Sequence, residues 1–297
     1  MIRRIAPDRV SCAVLTAGFV LLLMPLSLHG QGRGRGPAPP LAPQAAAPVD
    51  ITGYWVSVVT EDWRYRMVTP AKGDYQSVPL NAEGKRLADL WNPATDEAAG
   101  EQCKSYGAPA IMRVPARVHI TWKDESTLQV DIDAGIQTRL IHFQQPSFAI
   151  VSQGGADQVL RVPPPESATS ASASSSAERT WQGNSVAEWE YAADANGKLL
   201  IPIKGSAESS TNPTGDLKVV TTNLRPGYLR KNGVPYSGNA IVTEYFARTN
   251  EDNGDSWLIV TTMVDDPQYL RARFVTSSHF KKQTDASGWN PTGCEAR

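Results

Sequence analysis

Large apolar and polar side chains alternate through most of the chain after residue 50, the two-residue period of strands with one buried face. The pattern is clearest at Arg117-Val118-His119-Ile120-Thr121-Trp122, and at Leu128, Val130 and Ile132 interleaved with Gln129, Asp131 and Asp133. The run Asp255-Ser256-Trp257-Leu258-Ile259-Val260-Thr261-Thr262-Met263-Val264 carries the strongest strand signal. Further strands are predicted at 53–59, 63–68, 136–143, 180–190, 199–201, 217–224, 240–247 and 274–281. Lys123-Asp124-Glu125-Ser126 and Ala134-Gly135 are turn sequences, so 117–143 reads as a three-stranded meander. Strands at this spacing, without βαβ alternation, predict a mainly β fold, a barrel or sandwich.

The period changes to that of a helix in one place. Asn81 is an N-cap for 82–91, where Leu87, Leu90 and Trp91 form one stripe. Asn92-Pro93 starts a second short helix with Asp96 and Glu97 in its first turns. The two make a helical clasp over 81–104. Residues 163–180 and 204–216 are low-complexity and read as loops in one domain spanning 50–297.

The N-terminus has a different pattern. Arg3, Arg4 and Arg9 precede an apolar run at 13–28, followed by Gly30 and Gly32. This is the layout of an export signal over 1–30. A spanning helix needs about 20 apolar residues, and this run is shorter and contains Pro25. A Gly/Arg/Pro/Ala tether follows at 31–49, too poor in apolar residues to pack. The expectation is a periplasmic or secreted protein with no stable membrane anchor after cleavage.

Export changes the charge and the cysteines. The formal net charge is −1, but residues 1–48 hold five arginines and one aspartate, which leaves −5 on the rest. An acidic body does not suit nucleic acid, whose binders present a basic stripe. Of three cysteines, Cys103 and Cys294 remain, and an oxidising compartment favours a disulfide between them. Two free thiols or a metal pair are the alternatives.

Several segments are similar to a group of uncharacterised exported bacterial proteins, common in acidobacteria and proteobacteria. They are Gly53-Tyr54-Trp55, Leu80-Asn81-Ala82-Glu83-Gly84, Cys103-Lys104-Ser105-Tyr106-Gly107-Ala108-Pro109, Trp181-Gln182-Gly183-Asn184-Ser185 with Trp189-Glu190, and Asp266-Pro267. The Gly-x-Trp opening also resembles that of calycins. The resemblance implies export and a lipocalin-like barrel, an antiparallel meander closed on itself. Ala110 stands where that group carries arginine, and residues 191–214 look like an insertion.

If Trp122 pairs with Thr127, and Asp133 with Ile136, then Arg117, His119, Gln137 and Arg139 share a face with Leu128, Val130, Ile132 and Ile141. Cations over an apolar floor suit a ligand cavity; a slip of one residue would flip the face. Trp55 and Trp122 would add aromatic walls, or serve as core. The ligand-binding candidates are therefore Arg117, His119, Gln137, Arg139, Trp55 and Trp122. As acid–base groups, His119, Arg139 and Asp131 are the candidates. His119, His142 and His279 are far apart in sequence, so no metal is expected, and no motif for a cofactor is present. The functional expectation is a barrel whose cavity binds a small apolar or aromatic ligand. A cofactor-free isomerase or hydratase, and an envelope structural or interaction protein, are the alternatives.

Overall fold

A computed structural model describes residues 41–144, 148–153, 156–161, 178–192 and 215–297. The expected export signal at 1–30, the expected tether up to residue 40, most of the 163–180 tract and the segment 193–214, with its expected strand at 199–201, lie outside the described residues.

The alternation produces a closed barrel. Its strands are β1 (Gly53–Val58), β2 (Arg117–Asp124), β3 (Thr127–Ile132), β4 (Gln137–Phe143), β7 (Asn184–Tyr191), β8 (Gly215–Thr222), β11 (Ile241–Asn250), β12 (Ser256–Asp265) and β13 (Phe274–Gln283). Their order around the wall is β1-β13-β12-β11-β8-β7-β4-β3-β2, and β1 pairs with β2 to close it. Strands in an antiparallel ring alternate in direction, so a ring of nine must contain a parallel neighbour. That pair is β4 and β7. A parallel pair needs a crossover, and here the crossover holds a separate hairpin, β5 (Phe148–Gln153) with β6 (Ala156–Arg161). A second hairpin outside the barrel, β9 (Gly227–Arg230) with β10 (Val234–Tyr236), lies between β8 and β11 in the chain, where the sequence predicts no strand.

The interior is layered. One apolar cluster contains Trp55, Ile120, Leu128, Ile141, Phe246 and Phe280; another contains Leu224, Val242, Val264 and Phe274. A polar belt separates them. On successive strands, Thr221 follows Val219, Glu244 lies between Val242 and Phe246, and Thr262 lies between Val260 and Val264, all buried. Arg139 crosses to this belt from β4. It donates from Nη2 to Glu244 Oε2 at 2.6 Å and from Nη1 to Oε1 at 3.2 Å. Nη2 also donates to Ser185 Oγ and Thr221 Oγ1, each at 3.4 Å. Neither side chain of this ion pair is exposed.

Both barrel ends are covered. At one end Trp122, Phe143 and Trp189 stack into a plug. Trp189 Nε1 donates to Pro43 O at 2.8 Å and Tyr191 Oη to Ala46 O at 2.8 Å. Residues 41–49, expected to belong to a disordered tether, therefore pack on the barrel. The polar tips of two large aromatics need acceptors, and this segment's carbonyls supply them.

The clasp covers the other end. Besides α2 (Ala82–Leu90) and α3 (Pro93–Ala98), which fall within the expected 81–104, it is extended by α1 (Trp63–Arg66), a 3-10 turn at Gln102–Tyr106 and α4 (Ala108–Ile111). Segment 63–68, expected as a strand, is a helical turn. Asp62 is left-handed at φ 51°, and its carbonyl accepts from Tyr65 N and Arg66 N. Arg66 turns inward and Trp63 outward; alternation over six residues did not reveal which would be buried. The disulfide expected between Cys103 and Cys294 is present, and it ties the 3-10 turn to the C-terminal segment.

Four of the short sequence elements quoted above, those at 80–84, 103–109, 181–185 and 266–267, meet at this end. Asn81 caps α2 by accepting from Gly84 N at 2.8 Å, and its amide donates to Gln268 O at 3.0 Å. Asp266 accepts from Ser237 N and Oγ at 2.7 and 2.8 Å. Ala108 N donates to Trp181 O at 2.9 Å. A Cβ on Gly84 would run into the Tyr269 carbonyl oxygen. Gly84→Ala is therefore expected to cost about 1–3 kcal/mol by overpacking, read as a lower urea midpoint. An unchanged midpoint would mean that α2 can lift off the 266–270 turn freely.

Candidate functional site

A cleft of about 430 Å³ opens over the clasp end of the barrel. The residues after α1 form one wall, and Arg113, Val114 and Pro115 leading into β2 form another. β9 contributes Leu229 and Arg230, and the disulfide-tied C-terminal segment closes the far side with Thr292, Gly293 and Glu295. The long connections between strands, rather than the strands, therefore build this site.

Three guanidinium groups lie in it, all from buried residues: Arg66, Arg113 and Arg230. Arg66 is fully engaged. It donates from Nε to Arg113 O at 2.8 Å and from Nη2 to Ser57 Oγ at 3.2 Å, and Nη1 pairs with Glu61. Arg113 Nη1 pairs with Asp62 Oδ2 at 3.2 Å, and its Nη2 is buried with no protein partner. Arg230 donates to Gln76 O at 2.7 Å and Ser77 Oγ at 2.9 Å, but its Nε has no partner. Its guanidinium also lies 4.2 Å from the Tyr65 ring centroid, a cation–π contact. Lys231 and Arg297 line the rim.

Desolvation disfavours the charged form of a buried base. Burial lowers the pKa of Arg66 and Arg113 from the usual arginine value. Burial, with repulsion from Arg113, takes Arg230 down to about 10. All three stay protonated at neutral pH. Five cations line the cleft, against Glu61, Asp62 and Glu295 as paired or lining carboxylates. An excess of buried positive charge, with N–H donors that lack a protein partner, is chemistry that suits an anion.

The structure separates the residues expected to share a cavity. β3 and β4 pair as the sequence suggested, Val130 with Arg139 and Ile132 with Gln137, which places Arg139 and Gln137 on the inner face. β2 is displaced by one residue. Ile120, not His119, pairs with Val130, and Val118, not Arg117, pairs with Ile132. The cause is at the turn: Asp124 Oδ1 accepts from Ser126 N and Oγ, so the hairpin closes on Asp124 and Thr127. Lys123 is left as a bulge, and the slip turns every side chain of β2 over. The expected shared face is corrected accordingly.

Arg117 and His119 therefore lie on the outer surface. His119 stacks on Tyr54 at 3.9 Å, with Trp289 edge-on to both rings. Asp131, directly across from His119, accepts from Thr138 Oγ1 at 2.6 Å and Gln129 Nε2 at 2.8 Å. His119 and Asp131 share a shallow outer depression, while Arg139 is on the opposite side of the wall, held by Glu244. Gln137 bridges Gly135 O at 2.7 Å and Gln182 Nε2 at 2.9 Å below the disulfide. Trp55 is core, with Nε1 donating to Ile51 O at 3.0 Å, and Trp122 belongs to the far plug. His142 contacts Thr127 and His279 contacts Thr60, on separate parts of the wall.

Arg66, Arg113 and Arg230 escaped the sequence reading. They are scattered in the chain and share no period. Their convergence depends on β9 returning to the clasp, in a stretch where the sequence predicts no strand. No protein-family model, curated protein or solved structure matches this chain.

Proposed function

We propose that this is an exported β-barrel binding protein whose ligand, a small organic anion, is held in the arginine cleft over the clasp end. The observation that carries the reading is the pair of buried guanidinium groups, Arg113 and Arg230, which line one cleft and each keep an N–H without a protein partner. A buried, unpaired donor on a cation is costly unless something accepts from it, and a carboxylate or phosphate would accept from both. The disulfide suits an oxidising compartment. Among the described residues no helix is long and apolar enough to cross a membrane. The sequence expectation of a ligand inside the barrel moves to this cleft, because large side chains occupy the apolar interior.

Calorimetric titration with acetate, succinate and inorganic phosphate tests the reading. A hydrogen bond to a charged group contributes about 1.5–3 kcal/mol, so Arg113→Gln or Arg230→Gln is expected to weaken binding about 10- to 100-fold. Affinity unchanged from the parent in both variants would end the assignment. The pH dependence has a definite sign. Affinity should be level through neutrality and fall as pH rises past about 10, where Arg230 releases its proton. A bound anion raises that pKa, so binding near pH 10 should take up protons, seen as a heat that depends on the buffer. A fall in affinity below pH 8 would place the binding charge on another group.

A further inference from the structure

We infer that the cleft takes a soluble amphiphile, with its anionic head on Arg113 and Arg230 and its apolar chain laid over Met67 and Val68 towards Trp63. This rests on the anion reading above and names the ligand class for the same site.

The argument comes from the lip of the cleft. Most large apolar residues of the described chain are covered, yet Trp63 is 65% exposed, Met67 59% and Val68 67%. Three of the seven exposed large hydrophobics thus fall within one six-residue stretch. Met67 N donates to Trp63 O at 2.9 Å, so these two residues lie one helical turn apart on the same side of α1. Met67 and Val68 also line the cleft itself, one and two residues after Arg66. An apolar strip running out of a cationic pocket matches a molecule with one charged end and one greasy end. Scattered exposed apolar residues need no explanation, but a contiguous group at a binding cleft does.

An anionic bilayer could supply the same chemistry, and the observations favour a free amphiphile. The body beyond residue 48 carries −5. Docking on an anionic surface relies on juxtaposed basic residues, whereas Glu61, Asp62 and Asp74 are close to α1, paired with Arg66, Arg113 and Arg64. One helical turn with three apolar side chains is also less than the long amphipathic face that holds a protein at a membrane.

The test uses the full chain, with acetate, decanoate, 1-decanol and phosphatidylglycerol vesicles as probes below micelle-forming concentrations. A buried methylene is worth about fourfold in affinity, so covering two gives decanoate more than about a tenfold advantage over acetate. Met67→Ser combined with Val68→Ser should shrink that ratio. Both positions are exposed, so the variant folds, and its melting curve checks this. Arg230→Gln should weaken acetate and decanoate alike, and 1-decanol should bind at least about tenfold more weakly than decanoate.

Acetate and decanoate binding equally would overturn the amphiphile while leaving the anion cleft intact. So would a chain-length advantage unchanged in the Met67/Val68 variant, since the tail would then lie elsewhere. Binding to vesicles without binding of monomeric decanoate would assign the site to a bilayer and overturn the inference. Failure of every anion, in the parent as in Arg230→Gln, would remove the cleft reading beneath it.

Discussion

Glu244→Leu is expected to lower the unfolding free energy by about 3–5 kcal/mol, because it leaves Arg139 charged and unpaired in the barrel interior. Neither member of this pair has any exposed side-chain surface. Two hydrogen bonds hold Arg139 to the carboxylate, and the Ser185 and Thr221 hydroxyls, 2.8 Å apart, lie against the same guanidinium. Removing the carboxylate leaves only those neutral oxygens to stabilise a full charge. Arg139→Met alone should cost a similar amount, by stranding Glu244. The double variant Arg139→Met/Glu244→Leu should recover most of the loss, since well-packed apolar residues often replace a buried ion pair without penalty. Urea unfolding of the four proteins gives the cycle. Additive losses would show that the two side chains do not act as a pair. A single-variant loss below about 1 kcal/mol would show that water reaches the belt.

Loss of the Cys103–Cys294 crosslink is expected to have an effect at least as large. The bridge closes a loop with a sequence separation of 191 residues. The chain-entropy model assigns about 5 kcal/mol to a loop of that length. Cys103→Ala/Cys294→Ala should therefore unfold at much lower denaturant. The same variant should bind anions more weakly, because Thr292, Gly293 and Glu295 form one side of the cleft. Two backbone hydrogen bonds, Thr292 N to Asp133 O at 3.0 Å and Gly135 N to Thr292 O at 2.8 Å, and one from Glu295 N to the Tyr106 hydroxyl at 3.2 Å would still hold this segment. The cleft wall should thus loosen rather than vanish. If stability falls but anion affinity is unchanged, the tail is a staple only and contributes nothing to the site.

The local features legible in the chain were those with short-range causes. Asn81 and Asn92 cap their helices as their spacing suggested, each side chain accepting from a backbone N–H of the first turn. The alternation at 128–132 became a strand with Leu128, Val130 and Ile132 inward, and the run at 255–264 became the strand Ser256–Asp265. At 63–68 the same kind of pattern misled, since a six-residue alternation does not distinguish a strand from a turn of helix whose charged member is buried by a distant partner. β2 shows how narrow the margin is. Its strand was legible, but one bulged lysine decided which of its faces met the core.

What the sequence alone determined was the class: a β fold with one face of each strand apolar, a capped helical clasp, and a pair of cysteines to bridge. These follow from a two-residue or 3.6-residue period and from side chains that bond within their own turn. Tertiary structure decided the closure of nine strands with one parallel pair, the burial of Arg139 against Glu244, and the meeting of Arg66, Arg113 and Arg230 in one cleft. Residues so far apart in the chain are neighbours because of how strands and connections pack. A period of two or 3.6 residues says which side of its own element a residue occupies, but carries no record of what lies opposite.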